Sequence, residues 1–128
     1  MSQAIILFAH GARDPEWASP MRRVRAAILA NAPQLAVELA FLEFMAPDLL
    51  ACVAELAERG ARRILILPMF IAQGGHLKRE VPEIVAHLRA TWPAIEFSLG
   101  RAIGEEESVV QAMAAAALSA STAAGASV

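Results

Sequence analysis

The sequence predicts an α/β domain of three layers: a four-stranded parallel sheet with helices on both faces and the flavodoxin-like strand order 2-1-3-4. Three observations carry this prediction. Short apolar runs alternate along the whole chain with stretches whose apolar residues recur at helical spacing. The 128 residues suffice for one domain with a single core. The run that begins at Ile64 is rich in Ile and Leu, as expected of a strand buried on both faces.

Ala4–Ala9 reads as the first strand, and His10–Arg13 as the loop after it. Asp14-Pro15 has the form of an N-cap followed by proline at the first helical position. The first helix then runs to about Ala30, with Met21, Val24 and Ile28 on one face, until Ala32-Pro33 breaks it. Leu35–Leu42 is the second strand, interrupted by Glu38 and followed by Glu43. Pro47-Asp48 opens the second helix, Leu49, Val53 and Leu56 recur at its spacing, and Gly60 stops it. Arg62–Met69 is the third strand, with Pro68 near its end, where a backbone donor can be spared.

Phe70–Glu80 reads as a long loop, and long loops in compact domains are often functional. Gly74-Gly75 is expected to free its backbone. Proline disfavours a helix interior, so the third helix is placed from Pro82 onward, with Ile84, Val85 and Leu88 inward and Trp92-Pro93 at its end. Ile95–Leu99 is the fourth strand. Glu105–Glu107 opens the fourth helix, where negative charge suits the helix dipole. Residues 1–118 thus form one domain, and the Ala- and Ser-rich stretch 119–128 is expected to be a disordered tail.

Composition narrows the function. The net charge is −2 with no basic run, which argues against nucleic acid as a partner. There is no tyrosine, so an aromatic stacking platform is unsupported. Hydrophobic residues make up 57%, yet no apolar run approaches the roughly 20 residues of a spanning helix. No basic stretch precedes an apolar one at the N-terminus, so the cytoplasm is the expected location. The single cysteine, Cys52, cannot form an internal disulfide and lies in an apolar helical pattern, where a buried side chain is expected.

In the order 2-1-3-4 the chain reverses direction between the first and third strands, and such sheets bind ligands at the carboxyl ends of those strands. His10 follows the first strand and His76 follows the third. Neutral imidazole is a favoured ligand for divalent transition metals, and as a base it has an unperturbed pKa near ~6.5. Glu43 on the same edge is either a third ligand or a solvated turn residue. Glu80 either reaches the space of His76 or pairs with Lys78 or Arg79. Arg13, Lys78, Arg79 and Arg101 are ordinary surface charges or a ring of cations facing a substrate with several carboxylates. His87 reads as structural or surface, and Trp17 as core in preference to a lining of the crevice beside His10. Gly74-Gly75 lacks the spacing and lysine of a P-loop, so nucleotide binding is weakly supported.

Four segments resemble a known family: AHGARDP (Ala9–Pro15), AFLEFMAPDL (Ala40–Leu49), GARRILILPMF (Gly60–Phe70) and GGHLKREVPE (Gly74–Glu83). In that order and spacing they are similar to the small sirohydrochlorin chelatases of the CbiX type, class II tetrapyrrole chelatases, over residues 4–104. The resemblance implies a chelatase-like half domain and a lyase that inserts Co2+ or Fe2+ into sirohydrochlorin on the routes to cobalamin or sirohaem. It implies that His10 and His76 bind the metal and accept pyrrole protons. Glu43 and Glu80 are further metal-ligand candidates. Arg13, Gly74, Gly75, Lys78, Arg79 and Arg101 are substrate-binding candidates. No organic cofactor is implied; the metal is itself a substrate. Longer family members look like two such domains in one chain, which implies a homodimer around the macrocycle here. Ala12 stands where the family often has serine, removing one hydroxyl beside His10. Two other readings use the same residues. One is a metal or tetrapyrrole carrier without turnover. The other is a histidine phosphatase, whose nucleophilic histidine follows an arginine where this chain has Ala9.

Overall fold

Apolar runs of strand length pair side by side because each must satisfy its backbone groups away from water. In the computed structural model, which describes residues 2–125, four such runs do so: β1 (Gln3–Ala9), β2 (Ala36–Phe41), β3 (Arg63–Pro68) and β4 (Glu96–Leu99). All three pairings are parallel and the order is β2-β1-β3-β4, as predicted. Ala9 lies beside Phe41 on one flank of β1, and Phe8 beside Pro68 on the other.

Side chains alternate across each strand, and this divides the core. Ala4, Ile6 and Phe8 of β1 pack with Ile64 and Ile66 of β3. Over them lie Cys52, Val53 and Leu56 of α2 (Leu49–Glu58) and Val81, Val85 and Leu88 of α3 (Gly75–Thr91). The opposite side of β1 carries Ala9, which packs with Ala18, Phe41 and Met21 of α1 (Ser19–Asn31). Helices thus occupy both faces. Glu38 breaks the apolar run of β2 at the sheet edge, where Arg59 meets it at 2.8 Å and Arg25 at 3.7 Å. Asp48 caps α2 by accepting from the Ala51 amide at 2.8 Å, and Gly60 (φ 91°) ends it.

The structure corrects five expectations. Asp14 caps a 3₁₀ turn (Pro15–Ala18), not α1 itself, because a second proline, Pro20, starts the helix afresh. That turn points Ala18 inward and leaves Trp17 41% exposed, so Trp17 is not core. The third helix begins at Gly75, seven residues before Pro82. Proline is tolerated there because its side of the helix is exposed, so water can reach the carbonyl left without a donor. β3 is not buried on both faces: Ile64, Ile66 and Pro68 are buried, while Leu65 and Leu67 are only half-buried.

The fifth correction concerns the expected tail. Helix α4 runs from Glu107 to Gly125, so residues 119–125 are helical, consistent with the alanine of this stretch. Residues 126–128 lie outside the described residues. No residue of α4 is buried. Among the described residues no helix is long and apolar enough to cross a membrane.

Cys52 is 2% exposed, as expected. Burial, with the Glu38 and Glu55 carboxylates nearby and Arg59 opposing, pushes its thiol from the ordinary 9.0 up to about 12. The native protein is therefore expected to resist iodoacetamide near pH 8, with the thiol reacting only after unfolding in guanidinium. Because the unfolded thiol ionises first, the Cys52 contribution holds below pH 9.0 and is lost as pH rises toward about 12. Mass spectrometry of the alkylated protein, native against denatured, checks the first expectation, and rapid native labelling contradicts it.

Candidate functional site

β1 is the centre of the site because it pairs on both sides, so residues that leave its carboxyl end meet the ends of both neighbours. The β1–β2 ladder continues past the strands: the Leu42 amide donates to the Ala9 carbonyl at 2.8 Å, and the Glu43 amide to the His10 carbonyl at 3.0 Å. Glu43 is thereby held beside His10 by backbone alone. Gly11 follows with φ 87°, and a side chain there would run into the Glu43 carbonyl. Only glycine allows both the left-handed backbone and this close approach.

On the other flank, the Met69 amide donates to the Phe8 carbonyl at 2.8 Å and leads the chain into Phe70. Phe70 is 5% exposed, and its ring centre lies 4.7 Å from that of His10, tilted by 47°. The exposed imidazole of His10 thus rests on a buried aromatic, which limits its orientations.

His76 lies in the first turn of α3 with its side chain 82% exposed. Its Nε2 is 2.7 Å from Oε2 of Glu80, four residues along. That contact exists because the segment is helical: residues i and i+4 share a face. A carboxylate on one ring nitrogen orients an imidazole and leaves the other nitrogen, Nδ1, for a metal or a proton. Of the alternatives for Glu80, the structure selects His76 over Lys78 and Arg79.

The four candidate ligands form two separate pairs after β1 and β3, His10 with Glu43 through backbone and His76 with Glu80 through side chains. Among the described residues, no three His, Cys, Asp or Glu side chains form a group that could hold a metal ion. Lys78 and Arg79 are exposed on the first turns of α3. The Arg13 guanidinium lies 4.9 Å from the Phe44 ring centre. Arg101 donates to Glu106 at 3.2 Å. Gly74 is the extended N-cap of α3, at φ −71° and ψ 167°. A side chain at Gly74 or Gly75 would meet nothing within 4 Å. Neither glycine is needed for backbone freedom, contrary to expectation; their effect is to leave open space before the helix.

Three residues escaped sequence reasoning as parts of this region. Phe70 supports His10. Glu83 and His87 join Glu80 in lining a cleft of about 370 Å³, together with Phe8, Phe41 and Leu49. Glu83 also borders a second hollow with His76, Arg79 and Glu80. The spacing 76, 80, 83, 87 follows one helical face, a signal visible only once the helix is allowed to start before Pro82.

Comparison with known proteins bears on this edge. The CbiX family model matches residues 4–120. A sirohydrochlorin ferrochelatase of Bacillus subtilis (strain 168) is 26% identical over 113 residues, covering 88% of this chain and 43% of that protein. The crystal structure of a CbiX protein from Marinobacter aquaeolei VT8 shares the fold with a TM-score of 0.80 and 24% identity, over 91% of this chain and 95% of that one. The sirohydrochlorin chelatase SirB from Bacillus subtilis subspecies spizizenii, solved in complex with cobalt, matches with a TM-score of 0.73 and 30% identity, over 88% of this chain and 48% of that one. This chain spans about half the length of the curated relatives it matches.

The glycines of the site are expected to respond differently to alanine. Gly11→Ala should destabilise the fold by about 2–4 kcal/mol, through strain at positive φ and the clash with Glu43. Gly75→Ala should be neutral or stabilising by up to about 1 kcal/mol, since it adds a helix former in open space. Urea unfolding midpoints of the two variants decide this, and equal losses would refute the distinction.

Proposed function

The chain belongs to the CbiX family, and on that premise we propose that it is a sirohydrochlorin chelatase that inserts Co2+ or Fe2+ into the macrocycle. The observations that support the proposal are His10 directly after β1, with Glu43 held beside it by backbone, and His76 in the first turn of the helix after the adjacent parallel strand β3, paired with Glu80. Relatives of the chain are described as acting on sirohydrochlorin with iron or cobalt, which supports the substrate class.

Insertion exchanges one divalent cation for two pyrrole protons. The ring nitrogens become metal ligands, and the two protons must go to bases. In this reading neutral His10 and His76 supply both functions: they hold the incoming ion and take the protons released as it descends into the ring. Glu80 keeps the His76 ring oriented and stabilises the imidazolium once it is protonated. Glu43 stands ready as a further oxygen donor beside His10. Imidazole suits borderline ions such as Co2+ and Fe2+ more than hard ones, and an incomplete donor set leaves coordination positions for the pyrrole nitrogens. The same incompleteness favours transfer over storage, because a carrier needs a closed set of ligands to retain its metal.

Sirohydrochlorin carries many peripheral carboxylates. Lys78 and Arg79 beside the open N-terminus of α3 provide positive potential for them, with Gly74 and Gly75 admitting close approach. Arg13 and Arg101 extend the cationic rim, each from a perch on a neighbour, Phe44 and Glu106. The cleft of about 370 Å³ is at the small end for a ligand site and lies open on the surface of one copy. We therefore take the working form to be a homodimer that encloses the ring between two copies.

The test mixes sirohydrochlorin with Co2+ or Fe2+ and follows the absorbance change on metallation. The protein, well below stoichiometric amounts, is expected to yield many equivalents of product. His10→Ala and His76→Ala are each expected to reduce the rate to that of spontaneous insertion, and Glu80→Gln to lower it by roughly 10-fold or more. Full activity in both histidine variants overturns the assignment, and a yield capped at one equivalent points to a carrier.

A further inference from the structure

Helix α4 is apolar, uncharged beyond its first residue, and packed against nothing that buries it. From Ser108 to Gly125 there is no Asp, Glu, Lys or Arg. Val110, Met113 and Leu118 are 40%, 41% and 70% exposed, and they fall with Ala114 and Ala117 on one stripe at helical spacing. A helix that stays in water normally carries charge on most of its surface. The second unpartnered surface is on the sheet. Residues 5, 7, 65 and 67 point away from α2 and α3; Leu7 is fully buried, but Ile5, Leu65 and Leu67 are only half-buried, because α1 packs toward β2 and covers the β3 side in part. A parallel sheet is stable when both faces are covered.

One chain thus presents an uncovered apolar helix and a partly open apolar sheet face. The start of α4 is directed by extended Glu106 (φ −72°, ψ 132°), which Arg101 holds at 3.2 Å. The geometry points to reciprocal exchange. In a dimer of this chain, each α4 lies across Ile5, Leu65 and Leu67 of the other copy and completes its third layer. This gives the homodimer proposed above its contact surface, and it rests on that reading. Such an exchange is closed by twofold symmetry and uses only surfaces the chain already has. Each α4 is about 28 Å long; two of them, covering strips about 10 Å wide on helix and sheet, remove roughly 1,100 Å² from water, close to the lower bound of stable interfaces. Its driving force is apolar burial.

Two measurements test the exchange. In sedimentation velocity the wild-type chain is expected to be a dimer, and Met113→Glu with Leu118→Glu is expected to weaken it by roughly 100-fold or more. Both side chains are exposed within one copy, so the variant should keep its helix content by circular dichroism. In the second measurement, Leu65→Cys and Met113→Cys are made in separate chains and mixed under mild oxidation. A disulfide between the two different variants is expected, since Cys52 is buried. A wild-type monomer overturns the exchange and the dimer together, whatever its chelatase activity. A dimer indifferent to the two glutamates, or a mixture without the crosslink, overturns the exchange but leaves the homodimer. A crosslinked dimer that does not metallate sirohydrochlorin supports the exchange and overturns the chelatase reading instead.

Discussion

Everything at the candidate site depends on the parallel pairing of β1 with both β2 and β3. Because β1 is central, its register fixes two neighbours at once. On one flank the ladder carries on to join Glu43 to His10; on the other it delivers Phe70 against the His10 ring. The strand itself is almost wholly removed from water: Ala4, Ile6 and Leu7 are 0% exposed. Apolar burial of this kind sets the register, since a slip by one residue would turn every side chain to the wrong face. The positions of the catalytic candidates are therefore fixed by residues that do no chemistry.

The polar groups behave in the opposite way. Among the described residues no polar or charged side chain is fully buried. His10 and His76 sit on the surface, and their partners are a backbone ladder and a neighbour one helical turn away. Such a site is open to water on its outer side. Charge interactions are weak while water has access and strengthen when it is excluded. A macrocycle laid over this edge would supply that exclusion.

The same incompleteness appears on the α1 side of the sheet. β3 alternates between fully and half-buried residues, and α4 offers an apolar stripe with no sheet beneath it. A partly open sheet face and an uncovered helix thus stand in the same chain.

The strands and their order were legible in the sequence, because strand burial is written in local apolar runs and crossover handedness limits the topology. Burial of Cys52 and the cap at Asp48 were legible for the same local reasons. Helix α3 was not. Pro82 reads as a start signal, and only the tertiary structure, which buries Val81 and leaves Pro82 exposed, shows that the helix passes through it. That misreading hid the His76–Glu80 contact and the line on to Glu83 and His87. Phe70 as the support of His10 was equally hidden, since the two are far apart in sequence and meet only through β1–β3 pairing. Local pattern determines which elements form; the environment around each element decides where it ends and which side chains meet, because those depend on atoms distant in the chain.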